Sequence, residues 1–170
     1  MNTTLKYKAM KPVILLFFVF GLLHGVDYSG EWKGIEDAST TKSNSAKESG
    51  LTMMKVTNES ITSYNVINVG SKTTPNYTIA ICVLTYKEID GDGMVQGAQL
   101  KSYTQNGMNA DNAMYEMVKQ SISESQFKFA LSATGDLGME TVIKSQNIKT
   151  TAIFSRCRIM DFIGEDGKIK

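Results

Sequence analysis

Apolar and polar positions alternate along most of this chain. Phe127, Phe129, Leu131 and Ala133 alternate with Lys128, Ala130, Ser132 and Thr134, predicting a strand buried on one side that ends at Thr134-Gly135-Asp136. Tyr28 to Glu36 reads the same way. Tyr28, Gly30, Trp32 and Gly34 share one face, Ser29, Glu31 and Lys33 the other, and Trp32 is expected to point inward. Further strands are expected at Leu51–Thr57, Ile61–Val69, Tyr77–Ile89, Met94–Tyr103, Met139–Gln146 and Ile148–Ile163, the last long enough to require a bend. In Ile79 to Leu84 both alternating faces are apolar, which predicts cover on two sides.

One segment breaks the two-residue period. From Asp111 to Ser123 an amphipathic helix is expected, with Asp111 capping the first turn and Met114, Met117, Val118 and Ile122 on the buried stripe. Residues 37–49, DASTTKSNSAKES, hold no large apolar side chain and are expected to form a mobile polar loop. The fold class expected is therefore mainly β: about eight mostly antiparallel strands in a barrel or strongly curved sheet, with one amphipathic helix at about 111–123 packed on it. A β-sandwich or a curved α+β sheet fits the same pattern.

The first residues are of another kind. Lys6, Lys8 and Lys11, without an acidic residue, precede an uncharged run of 11 residues, Val13 to Leu23, and then His24-Gly25. That order predicts a secretory signal over residues 1–25, since a membrane-spanning helix needs about 20 apolar residues. No stable membrane span is expected after cleavage, and residues 26–170 are expected to form a single exported domain, periplasmic or secreted. Cleavage leaves 15 basic residues against 17 acidic, a net charge of −2. The basic residues are scattered singly among acids, which argues against nucleic acid as a partner. Cys82 and Cys157 lie in apolar extended segments, where an oxidising environment permits a disulfide; two separate buried thiols are the alternative.

The inventory of reactive groups is sparse. The only histidine is His24, inside the segment expected to be removed, so Ser-His-Asp, Cys-His and His-ligated zinc chemistry are not expected of the mature chain. Asp90 and Asp92 match the first two ligands of a calcium loop, but Met94, Val95 and Lys101 stand where the pattern requires an oxygen donor, a glycine and a glutamate. Asp90-Gly91-Asp92-Gly93 is accordingly expected to be a hairpin turn. No phosphate-cradling glycine motif, metal site, cofactor or catalytic constellation is indicated, and a non-enzymatic role is expected.

Gly30-Glu31-Trp32 on a first strand resembles the G-x-W motif that opens lipocalins and related calycin barrels. The resemblance implies a barrel holding a small apolar molecule, and it implies that Arg156 or Arg158, on the last strand, packs over Trp32 as a cation on an aromatic face. The side chains expected to line the ligand are Trp32, Ile79, Ile81, Phe127 and Phe129, with Arg156 and Arg158 beside them. The competing expectation is a filled interior, with the domain acting through its surface on another exported protein.

Overall fold

The computed structural model describes residues 26–34, 51–68, 73–74, 76–146, 148–165 and 169–170. The expected signal segment and the polar loop at 37–49 lie outside the described residues. The strands are β1 (Gly30–Gly34), β2 (Leu51–Val56), β3 (Ser60–Asn68), β4 (Tyr77–Thr85), β5 (Glu88–Ile89), β6 (Val95–Gln96), β7 (Gln99–Gln105), β8 (Met108–Asn109), β9 (Ser125–Leu131), β10 (Leu137–Ile143) and β11 (Ile148–Arg156). Helix α1 (Asn112–Ser123) lies between β8 and β9. Nine strands form one sheet in the order β8-β7-β4-β3-β2-β1-β11-β10-β9, while β5 and β6 form a separate ribbon. Every pairing is antiparallel.

Two expected strands are interrupted for visible reasons. Tyr77–Ile89 breaks at Tyr86-Lys87, where the Tyr86 hydroxyl donates to the Thr57 carbonyl and the Lys87 N–H donates to the Gln96 carbonyl. Met94–Tyr103 breaks at Gly97, whose φ of +66° suits glycine. The last expected strand stops at Arg156 instead of running to Ile163. There the Cys157 N–H donates to the Glu31 carbonyl and the Ile159 N–H donates to the Glu31 carboxylate, at 3.0 and 2.8 Å, so the chain turns away into a short 3₁₀ segment.

Register divides the sheet into two faces, because directly opposed residues share a side. On one face Trp32, Met54, Val56, Ile61, Cys82, Leu84, Phe127, Phe129, Leu137 and Phe154 form a buried cluster. On the other, Met53, Val66 and Ile79 are covered by Ile159 and Ile163, with Tyr64, Ile81, Cys157 and Phe162 packed around them. The two-sided burial expected of Ile79 to Leu84 is thus present, and the covering element is the C-terminal segment rather than a helix.

Asp111 caps α1 as expected, accepting from the Met114 N–H at 2.8 Å. Val118 and Ile122 pack on the Trp32-side cluster. Met117 does not join them, being 58% exposed; Tyr115 is half-buried in its place and its hydroxyl reaches the Leu100 carbonyl at 3.5 Å. The helix packs against both β7 and β9, which stand second and last in the sheet order. Residues just before β6 also reach β9: the Phe129 N–H donates to the Gly93 carbonyl at 2.8 Å, and Met94 pairs with Lys128. No helix among the described residues is long and apolar enough to cross a membrane.

Candidate functional site

The most specific local arrangement surrounds Trp32. Its ring is fully buried, its indole N–H donates to the Tyr28 carbonyl at 3.3 Å, and it opposes Met54 on β2 and Arg156 on β11. The Arg156 guanidinium lies over the ring with its carbon 3.8 Å from the centroid, and Nη1 donates to the Ser29 carbonyl at 2.7 Å. Gly30 makes this possible. A Cβ there would lie 1.7 Å from Arg156 Nη1, and φ is +139°, a conformation that disfavours any side chain. Arg158, the alternative cation, lies at the start of the 3₁₀ segment, and the observed contact over the indole is made by Arg156.

Around the indole the face is tightly filled. Phe129, Phe154, Leu137 and Met54 are at most 2% exposed, and Tyr28 stacks obliquely on Phe129 with centroids 5.8 Å apart. Toward the opposite end of the strands the same face carries polar residues among apolar ones such as Ala80, Phe127, Ile143 and Ile148. Thr52 lies beyond Met54 on β2, Ser63 and Asn65 lie beyond Ile61 on β3, and Gln105 lies beyond Tyr103 on β7. Across from them Thr141 opposes Thr150, beyond Met139 and Ala152 on β10 and β11. All of these polar residues are half-buried. Thr52 Oγ1 donates to Asn65 Oδ1 at 3.3 Å, and Gln105 Nε2 donates to the Tyr103 hydroxyl at 3.1 Å.

Charge separates the two faces. Register places Glu31, Lys33, Lys55, Lys128, Glu140 and Lys149 opposite the Trp32 face, where Lys55 pairs with Glu31 at 3.3 Å and Lys149 with Glu140 at 2.6 Å. Lys101 sits exposed at the β4–β7 bulge. Among the strand residues in register, Arg156 is the only charge on the Trp32 face, and it is already bound to Ser29 and the indole.

The expected ligand-lining set is therefore divided. Trp32, Phe127 and Phe129 belong to one cluster, whereas Ile79 and Ile81 face the other way, opposite Val66 and Tyr64 and beneath the C-terminal segment. Both faces of β4 are apolar, so alternation alone gave no phase. The expected option of a Cys82–Cys157 disulfide is also corrected: both thiols are free. Cys82 lies with Trp32 and Cys157, one residue past Arg156, packs on the opposite face. Burial pushes the Cys82 thiol up to about 11 and raises that of Cys157 as well, so both are poor nucleophiles.

Alternation also missed the polar end, because Thr52, Asn65, Gln105, Thr141 and Thr150 are far apart in sequence and meet only through pairing. Asp90 proves to be a turn residue. Its carboxylate accepts from Gln96 at 2.8 Å, from the Met94 N–H at 2.9 Å and from the Asp92 N–H at 3.0 Å. These bonds, led by that from Gln96, hold it below the usual carboxylate range.

Two open clefts lie away from Trp32. One of about 630 Å³ is bounded by residues 94–98, the end of α1 and the start of β9, with Lys144 and Ser145 at its rim. Glu124 in it is held below the usual carboxylate range by hydrogen bonds from Ser145 and then Gln120. The other, of about 480 Å³, runs along the exposed side of α1 past Met117. No cluster of three or more potential metal ligands occurs among the described residues. Comparisons with protein-family models, curated proteins and solved structures found no match for this chain.

Proposed function

We propose that the protein is an exported, non-enzymatic binding protein whose sheet curls into a calycin-like barrel and holds a small, largely apolar molecule above the Trp32 floor. Export rests on Lys6, Lys8 and Lys11 followed by the apolar run to Leu23. Curling is supported by the reach of α1. A 12-residue helix is about 18 Å long, yet it touches strands seven spacings apart, a distance of roughly 33 Å in a flat sheet. The bond from the Phe129 N–H to the Gly93 carbonyl supports it too, drawing the β9 edge toward the chain that enters β7. Arg156 on Trp32, with Gly30 leaving room, is the contact that the resemblance to calycins implies.

The observation that carries the binding role is the Trp32 face, whose one charged strand residue in register, Arg156, is engaged by the indole and Ser29, and which has fully buried aromatics at one end and half-buried residues toward the other. Native mass spectrometry of exported material should show a co-purified small molecule. Uptake of a neutral apolar fluorophore should be lost in Ala152→Trp, which adds a bulky ring to the Trp32 face opposite Met139. An adduct-free protein that also leaves the fluorophore dark would overturn the reading. The second reading, a surface module for another exported protein, is favoured by the filled floor and by the open 630 Å³ cleft between residues 94–98, the end of α1 and the start of β9. A folded, ligand-free protein that captures a partner from the exported fraction would support it.

A further inference from the structure

We infer that the open cleft beside β9 docks an extended peptide segment of another protein, main chain to main chain; this rests on the surface-module reading above and is independent of any ligand on the Trp32 face. β9 stands last in the nine-stranded order. Toward its end its outer side is paired, by the Phe129 N–H donating to the Gly93 carbonyl at 2.8 Å and by the antiparallel contact of Met94 with Lys128. Beyond that contact the two chains part. Val95 and Gln96 pair instead with Ile89 and Glu88 on β5, and the cleft of about 630 Å³ opens between residues 94–98 and the start of β9 at Ser125-Gln126.

The backbone of β9 is oriented for an added strand. Hydrogen bonding changes side from one residue to the next along an antiparallel strand. The Lys144 N–H donates to the Glu124 carbonyl and the Ser132 N–H to the Asp136 carbonyl, so even-numbered residues bond toward β10, whereas the Phe129 N–H bonds outward to Gly93. Ser125 and Phe127 therefore direct their main-chain groups to the cleft side. A small apolar molecule lying there would cover these donors and acceptors without bonding them, at a cost that a peptide backbone avoids. Directly opposed residues exchange both bonds and share a face, so the peptide residues opposite Ser125 and Phe127 turn their side chains inward. There they meet Val95, Ala98 and Ile122, which line the cleft and pack with the Trp32 cluster. Glu124, engaged by Ser145 and Gln120, and Lys144 bring one charge of each sign. The matching partner is an extended segment with apolar residues at every second position and uncharged ones between them.

The probe is the capped octapeptide KTVTVTVK, its end lysines added for solubility, titrated into the isotope-labelled protein. At saturation it should shift the Ser125, Gln126 and Phe127 amide resonances and slow hydrogen exchange at Ser125 and Phe127 by at least about tenfold. Methylating the valine nitrogens of the peptide removes the donors that face β9 and should weaken binding at least about tenfold, whereas methylating the threonine nitrogens, which face away, should cost less than about threefold. Ser125→Trp and Ala98→Trp fill the cleft from opposite walls and should each abolish the shifts; two variants guard against one failing to fold. Ala152→Trp should leave peptide binding intact, which separates this site from the Trp32 face. A peptide that binds without slowing exchange at Ser125 and Phe127, or that loses equally from the two methylations, overturns the strand pairing. Absence of binding at millimolar peptide overturns the docking site, while the surface-module reading is tested separately by capture of a partner from the exported fraction.

Discussion

The contact between Gly30, Trp32 and Arg156 invites a double-mutant cycle. In Arg156→Ala the indole loses its cation and the Ser29 carbonyl loses a charged donor at 2.7 Å. A cation–π contact contributes about 1 kcal/mol at a partly exposed site, and a hydrogen bond from a charged donor adds about 1–2 kcal/mol, so the variant should lose roughly 2–3 kcal/mol. Gly30→Ala should lose more. Its methyl would stand 1.7 Å from Nη1 and 2.9 Å from Cζ, which expels the guanidinium, and φ of +139° adds backbone strain of about 1–2 kcal/mol. Once Arg156 is already alanine, only the strain remains. The two changes should therefore be strongly sub-additive, with a coupling of about 2 kcal/mol. Denaturant unfolding followed by Trp32, the chain's single tryptophan, reads both the stability and the polarity around the indole. Additivity within roughly 0.5 kcal/mol would refute the reasoning, because it would mean that Gly30 does not serve to admit Arg156.

Three further outcomes follow. Phe129→Ala removes a ring that is 1% exposed and should cost about 3–5 kcal/mol by thermal or urea unfolding, while Met117→Ala, at a 58% exposed position, should stay within about 0.5 kcal/mol; similar losses in both would contradict the packing described. With a thiol reagent at pH 8, Cys157 should react slowly and Cys82 only on unfolding, and two equally fast thiols would contradict the burial that raises both. Bonding from the Ile159 N–H, then Lys55, holds Glu31 below the usual carboxylate range. Its stabilising contribution is complete above the unfolded value of about 4.3 and is lost as pH falls through the lower folded value. Glu31→Gln should accordingly flatten the acid limb of a melting-temperature profile, and an unchanged limb would count against the contact.

Sequence alone conveyed the elements better than their faces. Asp111 as a cap, the alternation of Phe127 with Phe129 and the inward Trp32 were legible because each depends on neighbours a few residues away. Ile79 and Ile81 were misplaced because a strand apolar on both sides carries no phase; only pairing with Val66 and Tyr64 assigns one. Met117 fell on the expected stripe, yet Tyr115 takes the half-buried position, since its ring covers the sheet while its hydroxyl reaches a backbone carbonyl. The run Ile148–Ile163 looked continuous because its apolar character persists past Arg156. What stops the strand is Glu31, more than a hundred residues earlier, which binds both Cys157 and Ile159.

The same division of faces narrows where a ligand could act. The face bearing Met53 is occupied by the chain's own Ile159 and Ile163, and the seam between β7 and β9 is spanned by α1. On the Trp32 face, Thr52, Asn65, Gln105, Thr141 and Thr150 stay half-exposed. Floor and polar part should therefore respond differently to mutation. Shortening Phe154, which is 1% exposed and buried against Trp32, removes packing that exists with or without a ligand, so stability falls by about 3–5 kcal/mol while affinity for the neutral fluorophore changes little in the molecules that remain folded. Replacing the half-buried Asn65 or Thr141 by alanine removes hydrogen-bonding groups where the proposed ligand would lie. Stability should then move by about 1 kcal/mol or less, and affinity should fall by roughly threefold to tenfold. If Asn65→Ala and Thr141→Ala leave affinity unchanged while Phe154→Ala abolishes it in folded protein, the ligand sits in the floor and the site has been assigned to the wrong end of the sheet.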